Sequence, residues 1–144
     1  MKKIAVLVIA STQYEHYRIY INRYWTKIIE YTNKYFPNID IFLLFDYGID
    51  ISKYENIKNN IIIDNNENYN GFFKKSLRCK GFIPGILSKT IYAFKQLQNK
   101  YDIFFRTNLS SMIHLKNLTE YVENSEIIYS GFYVWNNSLR SDLQ

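Results

Sequence analysis

Ile4-Ala5-Val6-Leu7-Val8-Ile9-Ala10 is an unbroken apolar run of strand length. A strand with one wet face alternates apolar and polar residues; a run without alternation suits a strand covered on both faces. Lys2-Lys3 ahead of it gives the outline of a short signal peptide. The apolar part is short for that role and no A-x-A cleavage pattern follows, so the run is read as a buried first strand. Ser11-Thr12 then offers a helix N-cap. A long helix is expected from about Gln13 to Tyr35, with Tyr14, Tyr17, Ile21, Tyr24, Trp25, Ile28 and Tyr31 as its apolar stripe. Pro37 marks its end.

The same alternation of elements continues along the chain. Ile39 to Phe45 is a second apolar run, closed by Asp46-Tyr47-Gly48. A short helix is expected over Asp50 to Ile57 and a third strand over Asn60 to Ile63. Asp64 to Gly81 carries the punctuation of a long loop, which in a compact domain marks function or mobility. Pro84 to Lys100 reads as a second strong helix with Pro84 near its first position and Ile83, Leu87, Ile91, Phe94 and Leu97 as the apolar face. A fourth strand is expected over Asp102 to Phe105, running on into Arg106-Thr107-Asn108. A helix over His114 to Glu123 and a last strand over Glu126 to Trp135 complete the order. Strands alternating with helices predict an α/β fold: an open, mostly parallel, Rossmann-like sheet flanked by helices, with residues 1–144 forming one domain.

Composition narrows the class of partner. The chain has 144 residues, 47% hydrophobic and 22% charged, as a globular domain has. Its net charge of +5 suits phosphate-bearing ligands, nucleic acid or an anionic surface, yet the Lys and Arg residues are scattered. The single cysteine, Cys79, allows no intrachain disulfide, which fits a cytoplasmic setting. No stretch reaches the ~18 apolar residues of a membrane span. His16 and His114 form no recognisable signature with Cys79. There is no G-x-G-x-x-G and no G-x-x-x-x-G-K-[ST], and the chain holds only 5 glycines, which speaks against a Rossmann dehydrogenase or a P-loop NTPase.

In open α/β sheets ligands bind beyond the carboxyl ends of the strands, where the strand order switches. That rule nominates Ser11-Thr12 after strand one, Asp46-Tyr47-Gly48 after strand two and Arg106-Thr107-Asn108 after strand four. Each has a plainer reading. Asp46 could start a turn. Arg106 could pair with an internal carboxylate. Asn108, Ser110 or Ser111 could cap the helix that follows. Lys89 could be a solvated lysine on a helix face.

Two segments carry a family resemblance. Phe45-Asp46-Tyr47-Gly48-Ile49-Asp50 stands where family-2 and related GT-A glycosyltransferases carry an acidic strand end of the D-D-G-S type. Pro84-Gly85-Ile86-Leu87-Ser88-Lys89-Thr90, followed by Tyr101-Asp102-Ile103-Phe104-Phe105-Arg106-Thr107-Asn108-Leu109-Ser110-Ser111, resembles the segment leading into the D-x-D strand, and is similar to segments in glycosyltransferases of giant DNA viruses. The resemblance is most specific over Gly81 to Ser111. It implies a transferase moving a sugar from a nucleotide-diphospho-sugar, such as a UDP-sugar, to a glycan or protein acceptor, in the cytoplasm of a host if the chain is viral. By position it implies that Ser11 and Thr12 line the nucleotide pocket and that Asp46 contacts base or ribose. Lys89 would approach the diphosphate, with Arg106, Thr107 and Asn108 beside the donor sugar and phosphates. It also implies Mn²⁺ or Mg²⁺. Here, however, Arg-Thr-Asn replaces the carboxylates that hold a hard cation, leaving Asn108 as the candidate metal ligand. No catalytic base is identified. Two alternatives stand beside this reading. One is a nucleotide-binding module without catalysis. The other is a nucleic-acid-binding protein using the basic aromatic stretch Phe72 to Arg78.

Overall fold

The computed structural model describes residues 1–12, 14–65 and 86–126. The expected last strand, Cys79, the basic aromatic stretch and most of the expected loop lie outside the described residues.

The described residues form a small Rossmann-like α/β fold. Its strands are β1 (Ile4–Ile9), β2 (Ile39–Phe45), β3 (Ile61–Ile63) and β4 (Ile103–Asn108), and its α-helices are α1 (Glu15–Tyr20), α2 (Thr26–Tyr35), α3 (Ile86–Leu97) and α4 (Leu115–Glu123). The strands make one all-parallel sheet in the order β3-β2-β1-β4. β1 lies between β2 and β4, with Ile4 opposite both Ile39 and Ile103. Ile4, Val6, Val8 and Ala10 enter one core with Ile21, Trp25, Ile29, Leu115 and Val122. Ala5 and Leu7 enter the other, with Phe42, Leu44, Ala93 and Leu97. Burial on both faces removes the need for alternation, which is why β1 and β2 read as solid apolar runs.

The long first helix is not one regular helix. A π-helical turn, Ile21–Trp25, separates α1 from α2, and the Thr26 N–H bonds back to the Ile21 carbonyl. Residues four apart drift by about 40° per step around an ordinary α-helix. The wider turn takes up that drift, so Ile21, Trp25, Ile29 and Thr32 all stay buried. This corrects the expected stripe: Tyr14, at the N-cap of α1, and Tyr31 are exposed, and Ile28 is half-buried at the margin of the core. The helix also starts later than expected. Tyr14 stands at its N-cap without a side-chain bond, and the Thr12 carbonyl accepts from Arg18 Nη1 at 2.7 Å.

Three other expectations change. The short helix is a 3-10 segment, Ser52–Asn60. β4 includes Arg106, Thr107 and Asn108, paired with Leu7, Val8 and Ile9. Among the described residues β4 is an edge strand, and such a strand tolerates polar residues where its apolar run stops, so the run alone underestimates it. The cap of α4 is neither Asn108 nor a serine: His114 Nδ1 accepts from the Asn117 N–H at 3.2 Å.

Trp25 fastens the first helical unit to the end of β4. It is fully buried, and its indole Nε1 donates to the Leu109 carbonyl at 2.8 Å. Trp25→Ala is expected to cost about 3–5 kcal/mol, as large core truncations do. Trp25→Phe should cost about 1–3 kcal/mol by leaving that buried carbonyl unpaired. Urea unfolding followed by circular dichroism measures both.

Candidate functional site

The chain steps outward from β1 to β2 and β3, then returns to the far side of β1 as β4. The strand order therefore reverses between β1 and β4, and the crevice beyond their carboxyl ends is the expected ligand position. A cavity of about 200 Å³ lies there. Ile9, Ala10 and Ser11 line it from the end of β1, and Asn108, Leu109 and Ser110 from the end of β4. Ile86 and Lys89 of the first turn of α3 and Tyr17 of α1 close it. Its volume suits a phosphate group or a sugar ring rather than a whole nucleotide-sugar, since complete ligand pockets run to roughly 300–1,000 Å³. A larger hollow, about 910 Å³, runs along β2, β3 and α3 past Asp40, Asn60, Gln96 and Tyr101. The switch-point cavity is the stronger candidate, because it lies at the strand ends and shares Lys89 with the buried charges described next.

Lys89 is buried, at 2% exposure. Its ammonium donates to the Ala10 carbonyl at 2.9 Å and to Asp46 Oδ2 at 3.1 Å. Asp46 follows β2 and is itself 8% exposed, and its second oxygen, Oδ1, is buried with no hydrogen-bond partner among the described residues. Asp64, immediately after β3, is 2% exposed and accepts from Ser88 Oγ at 2.5 Å. A polar layer thus lies across the ends of β1, β2 and β3, held by two consecutive residues of α3. Burial pushes the Asp46 carboxyl above its usual range; the Lys89 ammonium opposes this and Asp64 adds to it. Burial pushes Lys89 below its usual range, against the pull of Asp46 and Asp64. Desolvation outweighs attraction on both sides of the pair.

This layer explains why α3 does not bury the face its apolar spacing suggests. Leu87, Ile91 and Phe94 are exposed, Ile83 lies outside the described residues, and only Leu97 of the expected face is in the core. Lys89, Ala93 and Leu97 face the sheet instead. Turning Lys89 outward would strand Asp46 without its cation, and small Ala93 lets the helix approach β1 and β2.

The structure brings Ser11, Lys89 and Asn108 together around the cavity and joins Asp46 to them through Lys89. Thr12, Arg106 and Thr107 do not line it. Strand alternation sends Thr107 to the opposite face from Arg106 and Asn108, and Arg106 is exposed. Asp64 and Ser88 were not singled out from sequence. Asp64 had a readable signal, a carboxylate directly after a strand, as Asp46 has; Ser88 had none. Asn108 offers one neutral amide oxygen beside the Lys89 cation, which does not by itself make a divalent-cation site. Among the described residues no group of three or more His, Cys, Asp or Glu side chains is gathered to hold a metal.

The fold and cavity define an α/β protein with a crevice at the switch point of an open parallel sheet. Comparison of the chain with family models, curated proteins and solved structures gave no match. No helix among the described residues is long and apolar enough to cross a membrane.

Lys89→Met is expected to destabilise the fold by about 3–5 kcal/mol, because it leaves the Asp46 carboxylate buried without its cation. Adding Asp46→Leu should recover much of that loss, since an apolar pair needs no desolvation. A double-mutant cycle in urea measures the coupling.

Proposed function

We propose that the cavity is the donor site of a glycosyltransferase, or of its donor-binding domain, which takes a sugar from a nucleotide-diphospho-sugar. The observation that carries this reading is the placement of Ser11, Asn108 and Lys89 around one crevice at the β1/β4 switch point. Expulsion of a nucleoside diphosphate develops negative charge, which a fixed cation or a metal must stabilise. The cavity has room for the reacting portion of a donor, the sugar or one phosphate. The nucleoside would then extend past the end of β2, over Asp46 and the turn at Gly48, whose positive φ of 84° suits glycine. The resemblance of the segments around Asp46 and between Gly81 and Ser111 to GT-A transferases supports the same assignment. The acceptor would be a glycan or a protein, and a UDP-sugar the donor.

Calorimetric titration with UDP, GDP, TDP and their sugar conjugates, with and without Mn²⁺, tests the proposal. One nucleotide should bind in the micromolar range, and Asn108→Ala should weaken it about tenfold, the equivalent of one hydrogen bond. Strengthening by Mn²⁺ would locate metal chemistry at the donor phosphates. Folded protein that binds none of these compounds would sink the donor-site reading. Binding without transfer or donor hydrolysis would favour a nucleotide-binding module instead.

A further inference from the structure

The Lys89 ammonium has three N–H donors. Two are taken by the Ala10 carbonyl and Asp46 Oδ2, and Lys89 is also one of the residues that line the switch-point cavity. An anion in that cavity therefore meets a cation already committed to a carboxylate. Asp46 has no second cation among the described residues, and its Oδ1 has no hydrogen-bond donor there. A buried carboxylate that loses its share of the only cation beside it takes up a proton rather than remain charged.

We propose that when Lys89 engages a phosphate in this cavity, Asp46 takes up one proton from solvent at Oδ1, so that recognition of a phosphate-bearing ligand by this chain is proton-coupled. The inference rests on the donor-site reading and adds to it a change of charge state within the protein. Lys89 keeps its proton and turns its positive charge toward the ligand oxygens. Asp46 becomes a neutral acid, able to accept from Lys89 through one oxygen while carrying hydrogen on the other. No bond other than the new O–H forms or breaks. The charged groups acting on Asp46 among the described residues are Lys89, from α3, and Asp64, after β3. Lys89 is the influence that lowers the affinity of Asp46 for a proton; burial and Asp64 both raise it. Drawing Lys89 toward a phosphate thus weakens the one opposing influence and leaves the two that favour protonation.

The sign follows from linkage. A ligand whose binding takes up a proton binds more tightly as pH falls, by up to about tenfold per pH unit. That window lies between the pKa of Asp46 in the free protein, already above its ordinary value, and its higher value in the complex.

The test uses the whole chain with UDP, GDP and inorganic pyrophosphate as probes. Titrations at one pH in buffers of different ionisation enthalpy count the protons exchanged. The wild type should take up about one proton more per bound probe than Asp46→Asn, which removes the acceptor and leaves the ligand's own ionisation unchanged. Should Asp46→Asn not fold, the carboxyl carbon of Asp46 in ¹³C-labelled wild type supplies the readout directly. On saturation with a bound probe it should move to the shift of a protonated acid. Binding with equal proton counts in both proteins, or an unmoved carboxyl signal, would overturn the coupling while leaving the donor site standing. Failure of the folded chain to bind these probes, TDP and the sugar conjugates alike would overturn both.

Discussion

A lysine ammonium in a protein interior costs several kcal/mol unless a partner meets it, and Lys89 is met twice, by the Ala10 carbonyl and by Asp46. Those two bonds tie α3 to the ends of β1 and β2, and Ser88 ties it to Asp64 after β3. Much of the arrangement at this edge of the sheet follows from keeping that charge satisfied. It sets the rotation of α3, turns Leu87 and Ile91 to the outside, and brings Lys89 to the wall of the cavity between β1 and β4. A hydrophobic contact in the same place could hold the helix, but it would not specify its rotation so narrowly.

The sheet beneath supplies the rigid floor. β1 is hydrogen-bonded on both edges and covered on both faces, so its carboxyl end cannot shift without disturbing two cores. The end of β4 is fixed in turn by the indole of Trp25 bonding the Leu109 carbonyl, and the Tyr24 hydroxyl accepts from the Ile113 N–H a few residues on. The π-helical turn makes both contacts possible by keeping Trp25 in phase with Ile21 and Ile29. The backbone that lines the crevice is thereby positioned before any ligand arrives. A preorganised wall of this kind lets binding energy go to orientation rather than to ordering the chain.

The cavity and the buried pair belong to one piece of chemistry. Lys89 faces both: the strand ends below and the crevice beside it. A helix lysine with one foot in the core differs from a surface lysine, because its charge is already balanced and any new anion must compete for it. Asp46 Oδ1, which has no partner among the described residues, is where that competition would be felt, since buried polar atoms without partners are rare and ordinarily have a reason.

The amino-acid sequence by itself determined the strands whose two faces are both buried. Ile4 to Ile9 and Ile39 to Phe45 could be bounded to within a residue, because an unbroken apolar run has few other uses. It also determined the alternation of strands and helices, hence a parallel sheet whose strands β1, β2 and β4 run up to Ala10, Asp46 and Asn108. Only the tertiary structure decided which neighbours each polar residue meets. Lys89 reads as one more lysine on an amphipathic helix, and its burial depends on Asp46, distant in sequence, standing beneath it. Thr107 and Asn108 are adjacent in sequence yet on opposite faces of β4, because register with β1 carries the strand further than its apolar run. Helical phase was likewise beyond reach in α3, where Leu87, Ile91 and Phe94 form the more apolar stripe. Periodicity reports how much apolar surface a face can bury, whereas a buried charge is placed by its partner, and that partner is brought to it only by the folded sheet.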